Sequence, residues 1–376
     1  MNRIHLLLII ALPASIAALS VILALTFFSL CKRASGRTRD DVETSKRNSE
    51  GSRRGKEEIE ENADGEAEDE DLITFQGGEG LTICDILEAP GEVIGKSMNG
   101  TLYRAELQRV NSVMLLRFLR PACTASDGSV NAVVQALGRV RHPNLVPILG
   151  FYAGPRGEKL LIHPFYRFGN LAEFIRDGGG ETLNWSTVYN ISICITKALD
   201  HLHMGLPRPI IHGNLKSKNV LLDRHQRPYI SDFGLLSLLN GASGQHMLEA
   251  SSAQGYKAPE FIKVRDANER SDVYSLGVIF LELLTGKEPV NENAAPDEEP
   301  YLPNYMREAV HELGISNLCL PNLLLQKKPD GDGSSIVTEE CILKFFQLAM
   351  ACCSSSPSLR PNTRRVLKKL ENIVKG

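Results

Sequence analysis

The apolar residues of this chain change their spacing once, near residue 165, and this change limits the folds open to it. Between about residues 90 and 165 they form short runs separated by turns, which is typical of β-strands. The runs are Glu92–Ile94, Leu102–Leu107, Val113–Leu119, Val146–Tyr152 and Lys159–His163. Beyond residue 165 they recur at the spacing of a helix face over long stretches. The pattern predicts an α+β chain with a small strand-rich lobe (81–165) and a larger helical lobe (166–376).

One predicted helix interrupts the strands, and the remaining helices follow them. Ser129–Arg139 has apolar residues at positions 130, 133, 134 and 137, which form one face of a helix. The later predicted helices are Leu183–Met204, Ser271–Leu284, Glu339–Cys353 and Asn362–Val374. The region 287–335 is rich in Asn, Pro and Asp and gives no assignment. The small lobe is therefore expected to contain five strands and one helix.

The N-terminal segment predicts a membrane anchor. Leu6–Leu30 contains no charged residue, and as a helix it would extend about 37 Å, more than the roughly 30 Å of a bilayer's hydrocarbon core. A cleaved signal peptide is the alternative, although its apolar core usually has only about 7–15 residues. Basic residues follow the segment, whereas only Arg3 precedes it. The positive-inside rule then leaves residues 1–5 outside the cytosol and places everything after residue 31 inside it.

A polar linker is predicted to join the anchor to the folded part. Residues 31–80 are poor in aromatic side chains and rich in charge, which predicts disorder. Residues 32–56 are mainly basic, and two interpretations stay open for them: contact with anionic lipid headgroups, or a simple flank of the anchor. Residues 57–71 hold ten carboxylates in fifteen positions. Their mutual repulsion is expected to keep this part extended.

The overall composition excludes some classes of protein. The formal net charge of −3 and the pI near 6.3 provide no basic excess, so nucleic acid is not an expected partner. The eight cysteines show no matched pairs at metal-ligand spacing. They are interpreted as reduced, mostly buried thiols of a cytosolic domain.

Four short motifs occur in a fixed order in the second half of the chain. They are His212–Asn219, Asp232–Gly234, Ala258–Glu260 and Ser271–Gly277. With these motifs the chain resembles the protein kinases, and most closely the leucine-rich-repeat receptor-like kinases of plants, particularly their inactive transmembrane kinase-like members. The resemblance covers about residues 90–374. It implies a bilobal protein-kinase-like fold behind one N-terminal transmembrane helix.

The resemblance also indicates which parts of a phosphate-binding site are altered. The family's glycine-rich loop matches Gly95 and Gly100, but Ser97 replaces its second glycine. The lysine that grips phosphate in the family is replaced by Leu116, or by Arg117 if the preceding hairpin is one residue longer. Its glutamate partner on the helix is replaced by Val133. Both members of the family's ion pair are thus absent together.

The catalytic loop has changed at two positions. Asn214 occupies the place of the family's aspartate, and an amide cannot act as a general base near neutral pH. Gly213 occupies the place of the arginine that pairs with a phosphorylated activation segment. Phosphorylation is therefore not expected to order this segment in the usual way.

Other family positions are retained. Lys216, Asn219 and Asp232 match residues that hold nucleotide phosphates and magnesium. They either still bind ATP with Mg²⁺ or now only satisfy local backbone groups. Three further residues, Glu260, Asp272 and Arg360, match structural positions: a buried ion pair and a helix cap that braces the catalytic loop. Pro164, at the expected adenine-binding hinge, has no N–H to donate.

These changes predict a membrane-anchored pseudokinase at the plasma membrane. It would act as a signalling scaffold or allosteric partner of active receptor-like kinases or other membrane signalling proteins. Two alternatives stay open: an unconventional Ser/Thr kinase of weak activity, and a nucleotide-binding switch without catalysis. The sequence therefore leaves enzymatic activity undecided, with the altered site arguing against it.

Overall fold

The computed structural model describes residues 71–177, 183–296, 298–324 and 339–375. The predicted extracytoplasmic end (1–5), the predicted transmembrane segment (6–30) and most of the predicted linker (31–80) lie outside these ranges. Within the described ranges, no helix combines the length and the apolar character needed to cross a membrane.

A single antiparallel sheet forms the core of the small lobe. Its strands are β1 Leu72–Thr74, β2 Gly91–Lys96, β3 Gly100–Leu107, β4 Ser112–Leu119, β5 Gly150–Ala153 and β6 Lys159–Pro164. They lie in the spatial order β1-β5-β6-β4-β3-β2. The predicted run Val146–Tyr152 forms a strand only at its end, because residues 146–149 approach the sheet as a loop.

The sheet has six strands, one more than the five predicted. The additional strand Leu72–Thr74 lies inside the predicted linker and pairs with Gly150–Tyr152 at the sheet edge. Phe75 directly after it is buried, and its ring lies so close to Gly138 that a Cβ there would be only 2.2 Å away. Three strand residues are too few to produce a visible alternation. The folded part therefore begins before residue 81.

The two faces of the sheet pack against different partners. The outer face carries an apolar cluster that includes Leu116 and Ile162, and the short helix α1 (Ile83–Leu87) covers it through Ile86. The inner face, with Leu161, faces the main core. There it meets α2 (Asp127–Gly138), which corresponds to the predicted helix of the small lobe.

The larger lobe is helical, as predicted. Its helices are α3 Leu171–Arg176, α4 Trp185–Met204, α5 Gly241–Ala253, α6 Glu269–Thr285, α7 Leu302–Leu313, α8 Ile315–Leu318, α9 Pro321–Leu324, α10 Glu339–Cys352 and α11 Thr363–Lys375. A hairpin of β7 Val220–Leu222 and β8 Pro228–Ile230 lies between α4 and α5. Short 3₁₀ turns occur at Pro121–Cys123, Ser217–Asn219, Leu235–Leu238, Val264–Asp266 and Pro357–Leu359.

Helix α6 is the centre of the large lobe. From Ser271 to Thr285 every residue is buried, which fits a helix that is surrounded by protein on all sides. Asn268 caps its N-terminus by accepting hydrogen bonds from the Arg270 and Ser271 N–H groups. It ends at Gly286, which has a left-handed conformation. Helices α4 and α10 pack against it.

Helix α5 was not predicted from the sequence. It begins after Asn240, whose side chain accepts a hydrogen bond from the Ser243 N–H. Its composition of Gly, Ala and Ser gives only a weak apolar face, although Met247 and Leu248 are buried. The cap was therefore the only clear sequence signal for this helix.

Candidate functional site

The candidate site lies in the cleft between the lobes, and the register of β4 decides which of its residues enters the cleft. Leu116 pairs with Ile162, and both belong to the outer apolar cluster. Arg117 pairs with Leu161, which faces the inner side. Because directly paired residues share a face of a sheet, Arg117 points inward and Leu116 does not. Of the two candidates for the lysine position, Arg117 is the one at the cleft.

Arg117 forms an ion pair with Asp232, the acidic residue of the Asp232–Gly234 motif. Its Nη2 lies 2.5 Å from Asp232 Oδ1, and the two side chains are only 15% and 13% exposed. Burial raises the pKa of the Asp232 carboxyl, but the Arg117 guanidinium and neighbouring basic groups outweigh it, so the pKa lies below its ordinary value. The carboxylate therefore already has a buried counterion from the protein itself.

The catalytic loop presents an amide with an unused acceptor. Asn214 is 6% exposed, and its Oδ1 accepts no hydrogen bond from any described group. The side-chain nitrogen of Asn219 donates to the Asn214 carbonyl oxygen at 2.9 Å. Asn219 thus supports the backbone of the loop, while the Asn214 side chain stays without a partner for its oxygen.

Lys216 reaches toward the same cleft from the catalytic loop. Its Nζ donates to Gln254 Oε1 at 3.0 Å. Burial lowers the pKa of the Lys216 ammonium, and the nearby Asp232 carboxylate offsets part of that shift. The Arg117 guanidinium also acts on it, which places Arg117, Lys216 and Asp232 in one electrostatic neighbourhood.

The turn that corresponds to the glycine-rich loop is closed by its own hydrogen bonds. The Ser97 N–H donates to the Gly100 carbonyl at 2.9 Å, and the Ser97 hydroxyl approaches the same oxygen at 3.3 Å. Gly100 must be glycine, because a Cβ there would lie 2.1 Å from the Phe118 carbonyl oxygen. Gly95 lies in β2 beside an irregularity in the pairing with β3.

Val133 lies on α2 and packs, half-buried, against the main core. It supplies an apolar contact where a carboxylate would be needed to pair with a cation from β4. The ion pair of the cleft is therefore built from Arg117 and Asp232, and helix α2 contributes no charge to it at this position.

Gly213 has a left-handed backbone conformation, with φ of +68°. A Cβ at this position would lie 2.7 Å from the Leu236 side chain. The loop is fixed by the buried Asp272 of α6, which accepts hydrogen bonds from the His212 N–H at 2.7 Å and the Gly213 N–H at 2.8 Å. Asp272 also lies 2.9 Å from the His203 ring. Backbone conformation and packing both favour glycine here.

Glu260 and Arg360 form a bidentate ion pair below the activation segment. The Arg360 Nη1 and Nη2 atoms lie 2.5 and 2.7 Å from the two Glu260 carboxylate oxygens. Arg360 is fully buried and also donates to the carbonyls of Ser354, Arg270 and Ser355. All its donor directions are thus engaged by the large lobe.

Sequence reasoning missed a buried carboxyl group near the site. Glu282 of α6 accepts hydrogen bonds from the Tyr256 hydroxyl at 2.8 Å and the Ser217 hydroxyl at 2.9 Å. Burial raises its pKa to about 8, an effect that these two hydrogen bonds oppose. The signal available in the sequence was a single acidic residue within the otherwise apolar second half of a predicted helix.

Leu115 and His163 lie opposite each other in β4 and β6, next to the expected hinge residue Pro164. Both are about 9% exposed, they pair with each other across β4 and β6, and Leu115 shares the face of Arg117. Burial lowers the pKa of His163 to about 4, so its ring is neutral at pH 7. Pro164 continues β6, and the Phe165 N–H already donates to the Val113 carbonyl.

The ion pair of the cleft opposes the binding of a magnesium ion. Asp232 Oδ1, an expected ligand, is held by the Arg117 guanidinium at 2.5 Å. A divalent cation between these groups would face a fixed positive charge at close range, which in a partly buried site is strongly unfavourable.

Comparison with known proteins agrees with this architecture. The family model described as protein tyrosine and serine/threonine kinase matches residues 89–370. A putative kinase-like protein of Arabidopsis thaliana, TMKL1, is 37% identical over 302 residues, which are 80% of this chain and 44% of that protein. The chain thus spans less than half the length of this relative.

Two solved structures show the same fold. The maize SIRK1 kinase domain bound to AMP-PNP has a TM-score of 0.69 and 28% identity, covering 81% of this chain and 99% of that chain. The pseudokinase domain of BIR2, an immune regulator of the RLK/Pelle family, has a TM-score of 0.60 and 29% identity, covering 75% and 81%. The resemblance to plant receptor-like kinases inferred from the sequence is confirmed.

Proposed function

Because this chain belongs to the protein tyrosine and serine/threonine kinase family, we propose that it is a receptor-like pseudokinase with little or no phosphoryl transfer. It would act by binding active receptor-like kinases or other membrane signalling proteins and altering them through its surface. The similarity to a pseudokinase domain and to a kinase-like relative supports this proposal.

The observation that carries the proposal is the ion pair between Arg117 and Asp232. Phosphoryl transfer depends on positioned metal ions that neutralise charge on the phosphate oxygens. In this chain the Asp232 carboxylate is neutralised by a guanidinium 2.5 Å away. A metal ion there would compete with the guanidinium for the carboxylate and would be repelled by its charge.

The Asn214 side chain supports the same conclusion. An amide oxygen has no useful proton affinity near neutral pH, so it cannot accept the proton of an attacking hydroxyl. Asn214 occupies the position where the family resemblance implies this base, and its side chain is buried.

The large lobe retains the contacts that hold a kinase fold together. Asp272 fixes the catalytic loop through two backbone N–H groups, and Glu260 with Arg360 forms a bidentate pair. A fold that keeps its structural ion pairs while its site has changed is suited to presenting surfaces to partners. This supports a binding module rather than an eroded enzyme.

The membrane location is part of the proposal. The uncharged segment Leu6–Leu30 would anchor the chain once in the plasma membrane, with the kinase-like domain in the cytosol. The basic residues 32–56 would contact anionic lipid headgroups next to it. Such a tether would hold the domain near the cytosolic domains of receptor-like kinases.

A transfer assay tests the catalytic part of the proposal. Full-length chain purified in detergent is incubated with labelled ATP, Mg²⁺ and a generic Ser/Thr substrate, beside an Asp232→Asn variant that keeps the side-chain shape. We expect both to give the same background incorporation. Transfer that disappears in the Asp232→Asn variant would contradict the proposal and favour the weak Ser/Thr kinase.

The partner role needs its own measurement. The full-length chain is reconstituted with an active plant receptor-like kinase in vesicles, and the autophosphorylation rate of that kinase is followed. A change in this rate that is lost when residues 1–31 are removed would support a membrane-tethered partner role. Unchanged rates across a panel of such kinases would argue against it.

A further inference from the structure

Three buried side chains from different parts of the large lobe form a ring of hydrogen-bonding groups. Ser217 belongs to the 3₁₀ turn of the catalytic loop, Tyr256 follows α5, and Glu282 lies in α6. The Ser217 hydroxyl lies 2.7 Å from the Tyr256 hydroxyl and 2.9 Å from Glu282 Oε1. The Tyr256 hydroxyl lies 2.8 Å from Glu282 Oε2. The three residues are 0%, 4% and 4% exposed, so the ring holds three O···O contacts with almost no access to solvent.

The number of hydrogens in this ring decides the charge of Glu282. Each hydrogen bond needs one hydrogen between its two oxygens. A serine or tyrosine hydroxyl supplies one, whereas an ionised carboxylate supplies none. An ionised Glu282 therefore accepts both hydroxyl hydrogens and leaves the contact between Ser217 and Tyr256, at 2.7 Å, without a hydrogen.

A protonated Glu282 supplies the missing hydrogen. One of the two bonds to the carboxyl group then reverses. Glu282 donates to Tyr256, Tyr256 donates to Ser217, and Ser217 donates to Glu282. All three contacts of the ring are filled in this form, so the geometry favours the neutral carboxyl.

The charged groups around the ring do not compensate an ionised Glu282. Glu282 lines a cavity of about 220 Å³ together with three cationic and two acidic side chains. These are Arg176 of α3, Lys218 of the catalytic loop, and Lys287, Glu288 and Glu292 after α6. All five are exposed, so water screens their charges, whereas Glu282 is buried. Burial raises the pKa of Glu282 to about 8, in agreement with the number of hydrogens.

We propose that Glu282 is a pH switch within the fold, which holds a proton at neutral pH and releases the catalytic-loop turn at Ser217 when that proton is lost. The proton leaves to solvent as the pH rises. This inference goes beyond the proposed function, because it does not depend on whether the chain transfers phosphate.

The turn at Ser217 is the part of the ring that is free to respond. Glu282 is fixed within α6, where every residue from Ser271 to Thr285 is buried. Tyr256 is also tied to α6, because its carbonyl accepts a hydrogen bond from the Ser275 hydroxyl at 2.8 Å. Ser217 lies in a turn of only three residues, Ser217–Asn219. Loss of a hydrogen from the ring therefore loosens the catalytic loop rather than α6.

The direction of the pH dependence follows from the raised pKa. In an opened ring the carboxyl group has its ordinary pKa of 4.5, against about 8 in the closed ring. The closed ring is therefore fully favoured below about pH 4.5 and loses this advantage as the pH rises through 8. Between pH 7 and pH 9 the equilibrium constant for opening should rise about tenfold.

Infrared difference spectroscopy tests the protonation directly, because the C=O stretch of a protonated carboxyl group is separate from the carboxylate bands. The full-length chain in detergent is compared with Glu282→Gln, and with Glu288→Gln as a matched control that changes an exposed carboxylate of the same cavity. At pH 7 we expect the band in wild type and Glu288→Gln and its loss in Glu282→Gln. In wild type it should decrease at pH 9, a test that needs no variant. Identical spectra of wild type and Glu282→Gln at pH 7 would overturn the inference.

Hydrogen–deuterium exchange followed by mass spectrometry tests the release of the turn. The turn is closed by the Asn219 N–H, which donates to the Lys216 carbonyl, and by the Val220 N–H, which donates to the Ser217 carbonyl. A glutamine amide both donates and accepts, so Glu282→Gln should keep all three contacts at any pH. Comparison of the two proteins at the same pH cancels the intrinsic pH dependence of exchange.

Exchange in the turn should be equal in wild type and Glu282→Gln at pH 7, and about tenfold faster in wild type at pH 9. Glu288→Gln should behave as wild type at both pH values. Cooperative thermal unfolding at pH 7 checks that each variant is folded. Equal exchange in wild type and Glu282→Gln at pH 9 would show that the proton does not control the turn, and would overturn the inference.

Discussion

The structure contains two arginine–carboxylate pairs with similar distances and different surroundings, one within the large lobe and one between the two lobes. In the large lobe, both Arg360 terminal nitrogens contact Glu260, at 2.5 and 2.7 Å, and the arginine also donates to three backbone carbonyls. In the cleft, Arg117 makes one contact with Asp232, at 2.5 Å. The first pair is embedded in a network, whereas the second stands between two lobes.

This difference indicates which of the two ion pairs the kinase fold needs for its stability. Arg360 joins Glu260 of the Ala258–Glu260 motif and Arg270 at the start of α6 to the segment before α11. Its loss would leave several of these groups without partners. The Arg117 pair fills a place where the family resemblance implies a metal-binding carboxylate. The large lobe therefore has the ion pair that the family resemblance implies, between Glu260 and Arg360. The cleft instead has an ion pair between Arg117 and Asp232.

The largest effect is expected at the Arg360–Glu260 pair of the large lobe. Arg360→Ala should lower the free energy of unfolding by about 3–5 kcal/mol, because it leaves the Glu260 carboxylate without its buried partner. Urea denaturation of the full-length chain measures it. The control Arg364→Ala removes an exposed arginine that lies 3.8 Å from Asp200, and should change stability by less than about 0.5 kcal/mol. A similar loss of stability in Arg360→Ala and Arg364→Ala would show that the buried arginine contributes no more than the exposed one.

A smaller effect is expected in the cleft. Arg117→Met should cost about 1–3 kcal/mol at pH 7, because Asp232 keeps Lys216 nearby as a second cation. Arg117 contributes to holding the folded-state pKa of Asp232 below its unfolded value, so this stabilisation is present above about pH 4 and is lost as the pH falls through the folded pKa.

The contribution of Asp232 to stability should change with pH in opposite directions in wild type and in Arg117→Met. Without the guanidinium, burial acts to raise the Asp232 pKa, so the carboxyl destabilises the fold as the pH rises. The gap between wild type and variant, followed by urea denaturation from pH 4 to pH 7, should therefore widen with pH. A gap that does not vary with pH would show that Arg117 acts only through packing.

An alanine substitution should lower stability more in the catalytic loop, at Gly213, than at Gly241, where the new side chain would have free space. Gly213→Ala should cost about 1–2 kcal/mol, because it forces a Cβ into the left-handed region and toward Leu236. Gly241→Ala, at the start of α5 with no atom within 4 Å of the new Cβ, should be neutral or stabilise by up to about 1 kcal/mol. Thermal unfolding of the two variants compares them, and equal effects would mean that the loop can relax.

The last expected effect concerns Glu282 of α6, which accepts hydrogen bonds from Ser217 and Tyr256. Its folded-state pKa of about 8 lies above the ordinary 4.5, so its stabilisation is complete below about pH 4.5 and is lost as the pH rises through 8. The stability of Glu282→Gln relative to wild type should therefore rise between pH 5 and pH 8, because only wild type loses stability over this range. The exposed Glu312→Gln serves as control. An advantage of Glu282→Gln that is equal at pH 5 and pH 8 would contradict the ionisation argument.

Much of the fold could be predicted because its signals are local. The motifs around Asp232 and Glu260, together with the change from strand to helix spacing, gave the two lobes in the correct order. Helix α6 was predicted within two residues of its ends because its apolar run is long. The three-residue strand Leu72–Thr74 and helix α5 were missed, because neither carries a periodic pattern strong enough to detect.

The choice between Leu116 and Arg117 could not be made from the sequence. It depends on how many residues form the turn before β4, and a shift of one residue exchanges the two faces of a strand. In the structure the turn is closed between Gln108 and Asn111, and Asn111 adopts a left-handed conformation. That turn directs Arg117 into the cleft and Leu116 to the outer cluster.

The sequence by itself determined that two carboxylates expected in the cleft are absent, since Val133 and Asn214 can be read directly. It could not determine what the remaining charges do. The tertiary structure decided that Arg117 and Asp232, 115 positions apart, meet as an ion pair. The physical reason is that residue identity fixes which charges exist, whereas the packing of one lobe on the other fixes the distances on which their interaction depends.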